Sequence, residues 1–134
     1  MNWKLIFLLS LFGMAMGFAT VYGLPSKAEP FVWLPIFLLC AFLIAKNARR
    51  KYFLHGFLIG LANCVWVTSI HIRLSVTYLA HHPVESAQYL KMHIQSGATI
   101  NQCILITGTV AGIISAVVLG LFANVAAGII KKMI

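Results

Sequence analysis

Four runs of apolar residues, about 5–24, 31–45, 52–80 and 98–130, occupy most of a 134-residue chain. A helix needs ~20 residues to cross the ~30 Å of hydrocarbon in a bilayer, and three of the four runs reach that length. Charged residues make up 9% of the chain, against about 25% in a soluble domain, so there is too little polar surface to face water all round. The expected fold is therefore all-α, with residues 1–134 forming a single integral membrane bundle of four transmembrane helices. The second run is the shortest, and Pro35 falls in its first turn, where proline is best tolerated. The third and fourth are longer than a bilayer requires, so they must tilt or project beyond it.

Charge placement then sets an orientation. Lys4, Lys46, Arg49, Arg50, Lys51, Lys131 and Lys132 fall on one side of a four-span arrangement; Lys27 and Lys91 fall on the other, with Arg73 near that edge. Positive residues stay on the cytoplasmic side, so both termini and the 46–51 connection are expected there. The setting expected is a bacterial inner membrane, as a multi-pass protein. The net charge of +8 reads as an orientation signal beside the lipid bilayer, an expected partner, and not as a nucleic-acid footprint.

The first run has a rival reading as a cleaved signal peptide, because "SKA" at 26–28 offers small residues for cleavage. Its apolar run exceeds the ~7–15 residues of a signal core. "GMAMGFAT" (13–20) also resembles "GFLIGLAN" (56–63) in its Gly-x-x-x-Gly spacing, as a parallel repeat of two helical hairpins would. The first helix is expected to remain in the mature protein.

Between helices in lipid, small residues that let backbones approach mark the contacts. Every fourth residue of the last run gives Gly108, Gly112, Ala116, Gly120, Asn124 and Gly128, flanked by Thr107, Ala111, Ser115, Ala123 and Ala127. Gly13 with Gly17, and Gly56 with Gly60, repeat the spacing in the first and third runs. These are the expected packing residues, either within one protomer or at the seam of a homo-oligomer.

Polar residues are few. At 100° per residue Gly56, Gly60, Asn63, Val67, His71, Leu74, Tyr78 and His81 share one face of a continuous third helix. Asn63 lies about 18 Å along it from Lys51, near the bilayer midplane, and needs a partner on another helix or in a cavity. His55 and Arg73 point elsewhere, near the two interfaces. After Pro83, "VESAQYLKMHIQSG" reads as an amphipathic outer helix. Its apolar stripe is Ala87, Leu90 and Ile94, and its polar stripe is His82, Glu85, Ser86, Tyr89 and His93. His82 and Glu85, one turn apart, are the pair nearest to a metal site. His93 is about 12 Å from Glu85 along such a helix, too far to join one ion at ~2 Å, so no metal and no cofactor are expected. Cys40, Cys64 and Cys103 form no CxxC pattern and read as buried thiols.

No HExxH, phosphate loop or nucleophile elbow appears, and no enzyme activity is expected. A proton-coupled cation exporter needs a carboxylate inside the membrane; the four runs hold neither Asp nor Glu. Two readings stand: association with itself or with a larger membrane complex through the glycine faces, or a small oligomeric transporter or pore with a polar path through Asn63, His71, Ser115 and Asn124.

Overall fold

The computed structural model describes residues 1–134 and is all-helical. The helices are α1 (Trp3–Tyr22), α2 (Glu29–Asn47), α3 (Tyr52–Arg73), α4 (Ser75–His81), α5 (Pro83–Ser96) and α6 (Ile100–Met133). Four of them, α1, α2, α3 and α6, are long and apolar enough to cross a membrane.

Local chemistry sets the boundaries. The Asn2 side chain accepts from Leu5 N–H and caps α1. Thr99 and Gln102 form a reciprocal capping box that opens α6, satisfying two backbone donors at once. Gly97 ends α5 with φ 73°, a left-handed conformation that costs glycine little. Pro30 sits in the first turn of α2, which begins at Glu29, two residues before the apolar run. Pro35 therefore lies inside the helix and not in its first turn.

The third run does not form one helix. Leu74 takes φ −110° and ψ 33°, and this break re-phases everything after it. The expected continuous face ending in His81 is corrected: Tyr78 is buried, His81 is exposed, and His82 is buried in its stead.

The pair α3–α6 forms the centre, with α1 packed on α3 and α2 on α6; α2 touches α1 and α3 little. One apolar cluster, including Ile6, Leu9, Cys40, Ile44, Ile59, Leu119 and Ala123, fills the half of the molecule nearest the termini. A second, built on Val21, Tyr78, Tyr89, Cys103 and Ile104, fills the other end. Asn2 N–H donates to His55 Nε2 at 3.1 Å, and Lys131 Nζ lies 4.7 Å from the centre of the Tyr52 ring. Both termini thus sit beside the start of α3. His55, expected near an interface, is a buried tie of that end: Nδ1 donates to Lys51 O at 2.9 Å while Nε2 accepts.

The small residues of α6 are spent mostly inside the protomer. A Cβ on Gly60 would collide with Ala116, and one on Gly56 would meet Leu119 O and Gly120 Cα. Gly108 faces Thr68, Gly112 faces Cys64, and Gly120 faces Phe53. On α1, Gly13 lies against Asn63 and Gly17 against Ile70 and Val67. The two similar glycine segments therefore serve different neighbours, α1 meeting α3 and α3 meeting α6. Gly128 departs from the ladder's pattern, since nothing lies near it, and Asn124 is exposed.

Candidate functional site: a polar cavity between α2, α3 and α6

The lower half of α2 packs closely on α6, where Phe37 meets Phe122 edge to face at 6.4 Å and Cys40 and Ile44 join the first cluster. Its upper half stands off. A cavity of about 200 Å³ lies there, between Glu29, Trp33 and Phe37 of α2, the Asn63–His71 stretch of α3, and the Ile104–Ser115 stretch of α6. Small residues create it: Gly60, Gly108, Ala111, Gly112 and Ser115 all line the space. Tyr78 and Tyr89 close its far end.

Asn63 lies in the wall with 4% of its surface exposed. Its Oδ1 accepts from Gly13 N–H at 3.1 Å, which is possible because Gly13 brings the α1 backbone up to the side chain. Its Nδ2 has no partner. A buried amide left unmatched costs about 1–3 kcal/mol, so this donor stands out among the polar groups of the bundle.

His71 stands about 12 Å above Asn63 along α3. Thr20 Oγ1 is 2.9 Å from Met16 O and 3.0 Å from Gly17 O, acceptors for its single proton. Its remaining lone pairs take the proton of His71 Nε2 at 2.7 Å, which leaves Nδ1 as the acceptor nitrogen of that ring. The break at Leu74 lets Tyr78 fold back so that its ring stacks on His71, with centroids 4.0 Å apart, and on His82, 4.4 Å apart. Three rings form one column.

His82 Nδ1 lies 2.8 Å from Tyr78 O and Nε2 lies 3.2 Å from Leu24 O. Both partners are carbonyls, which only accept, so both contacts become hydrogen bonds when both ring nitrogens carry protons. This residue pins the α1–α2 connection over the end of the cavity. With both nitrogens turned to backbone, it is not placed to chelate with Glu85, and no group of His, Cys, Asp and Glu gathers as a metal site.

Sequence reasoning missed Glu29. It lies outside the apolar run, yet as the first residue of α2 it lines the cavity, where Trp33 Nε1–H donates to its Oε1 at 3.3 Å. The statement that no carboxylate accompanies the spans is corrected accordingly. Trp33, Thr68, Tyr78 and Tyr89 were also not assigned to a polar path; each lines the cavity. Of the four residues that were, Asn63, His71 and Ser115 come together here, while Asn124 lies outside, nine residues beyond Ser115 on α6. Below Ser115 the apolar cluster around Ile59, Leu119 and Ala123 fills the bundle.

Tyr78 and Tyr89 are held as phenols. Burial pushes both hydroxyls above the ordinary tyrosine range, and the carboxylates of Glu85 and Glu29 push the same way. They offer hydrogen-bond donors at the chamber's end. The α5 helix that carries Tyr89 folds back on the first turns of α6, with Met92 Sδ 4.0 Å from Thr107 Oγ1. Its apolar stripe points away from the protein, with Leu90 and Ile94 exposed, and its polar stripe faces the bundle through Tyr89.

No protein-family model, curated protein or solved structure matches this chain.

Proposed function

We propose that this is a multi-pass membrane protein, non-enzymatic, that binds a small solute in the chamber between α2, α3 and α6, in the manner of a carrier and not of an open pore. The unmatched Nδ2 of Asn63 carries this reading: the residue lines the cavity, and a turn of its side chain would bring a donor buried at a cost to a bound solute. The apolar packing of Ile59, Leu119 and Ala123 below Ser115 favours a carrier. The distribution of lysine and arginine supports cytoplasmic termini, and with that orientation the chamber lies in the outer half of the bundle.

The test is a thermal-shift panel on the purified protein, with anionic, cationic, zwitterionic and neutral solutes of roughly ten heavy atoms, the size suggested by the ~150 Å³ that holds benzene. A solute at a hundred times its Kd stabilises by about 2.7 kcal/mol. At least one class should raise the melting temperature of the wild type and leave Ala111→Phe, which fills the chamber from α6, unshifted. A panel without any such solute overturns the reading.

A second reading, helix-mediated association with another copy or a larger complex, draws support from Asn124 and Gly128. They share a face of α6 that nothing in the protomer covers, and a polar amide on a span gains from a partner helix.

A further inference from the structure

Resting on that reading of the chamber, we infer that its occupant is an elongated organic cation, with an ammonium group at the outer end and an oxygen acceptor at the end that meets Asn63. The chain has two acidic residues in all, Glu29 and Glu85, and Glu29 lines the outer end of the chamber that Tyr78 and Tyr89 close. A protein whose basic residues outnumber its acids by ten to two thus turns one of its two carboxylates into this space. His82 stands near Glu29, but its two ring nitrogens are turned to Leu24 and Tyr78 carbonyls. It offers Glu29 no hydrogen bond, and when both its nitrogens carry protons it offsets the carboxylate only through space.

Aromatic rings share that end. Trp33, Tyr78 and Tyr89 line the space along with Glu29, and a carboxylate beside several π-faces is how proteins hold alkylated ammonium groups, which bring no strong hydrogen-bond donors of their own. The opposite end has different chemistry. Asn63 Nδ2 is a donor without a partner in a residue more than nine-tenths buried, and what it needs is an oxygen. His71, on which Tyr78 stacks at the outer end, stands about 12 Å above Asn63 along α3, which sets the separation between the two ends. An anion would meet the Glu29 carboxylate at the outer end, and a short cation would leave Asn63 unmatched.

Equilibrium dialysis of the full chain in detergent tests this with acetylcholine as the probe. Its comparison is the neutral isostere in which carbon replaces the quaternary nitrogen. Acetylcholine should bind at least about tenfold more tightly than the isostere, the size of a desolvated cation–π and charge contribution. Glu29→Gln should erase most of that preference without weakening the isostere, and Trp33→Leu should do so in part, giving a second variant should the first not fold. Equal binding of the two probes, a preference that survives both substitutions, or no acetylcholine binding overturns the inference. If the thermal-shift panel still finds a neutral or anionic solute that Ala111→Phe abolishes, the solute chamber stands and the cation assignment alone falls. If no solute of any class binds, both fall.

Discussion

Asn63, His71 and His82 show how much of a polar residue's role lies in what surrounds it. Asn63 could be placed in the sequence because helical rise alone puts it at the middle of a span-length helix, and its partner need followed. The identity of that partner, the Gly13 amide, depends on how α1 packs. Glu29 was illegible for a different reason: it precedes the apolar run, and nothing local shows that α2 starts there and turns the carboxylate toward the cavity. Tyr78 and Tyr89 carry a pH signature. Their hydroxyls are raised by burial in the folded chain, whereas the unfolded chain ionises them near pH ~10. For an acid whose folded value is raised, stability is intact below the unfolded value and falls as pH climbs past it. Alkaline melts should therefore show a decline above about pH 10 that becomes shallower in Tyr78→Phe/Tyr89→Phe. An unchanged slope would mean that the two phenols are not buried as described.

At the scale of elements, the small-residue ladder of α6 was readable as a contact but not as a choice between partners. Spacing is the same whether the neighbour is α3 or a second copy. The structure divides it: Gly108, Gly112, Ala116 and Gly120 face α3, and Gly128 faces nothing in the protomer. Gly60→Leu should thus lower the melting temperature sharply, since overpacking costs about 1–3 kcal/mol or more. Gly128→Leu should leave the protomer's melting unchanged and, if the Asn124 face meets another copy, reduce the oligomer seen by size exclusion in detergent. Equal melting of the two variants would contradict the division. The break at Leu74 was hidden because hydrophobic periodicity runs on through it: Leu74 and Tyr78 keep a helical spacing after His71, and no glycine or proline marks the change. The α5 helix was legible in its limits and its stripes, since Pro83, Glu85 and Gly97 are local signals. Which stripe meets the bundle was not: the polar stripe turns inward through Tyr89 and the apolar one outward, the reverse of the rule for a chain in water.

For the whole molecule, the all-helical class and the four span-length helices followed from the length of the apolar runs and the scarcity of charge. The chamber did not, because it arises from α2 gripping α6 through Phe37, Cys40 and Ile44 while its upper turns stand off. Native cysteines report on that arrangement without any substitution. Cys64 lines the chamber, while Cys40 and Cys103 have no exposed surface. Treating the folded protein with methyl methanethiosulfonate, a small neutral thiol reagent, and mapping the modified peptides by mass spectrometry should show Cys64 modified first. Cys40 and Cys103 should stay intact until the chain is denatured, and Ala111→Phe should slow the reaction at Cys64. If all three thiols resist equally until denaturation, the chamber is closed to solutes and the account of this protein as a solute binder is wrong.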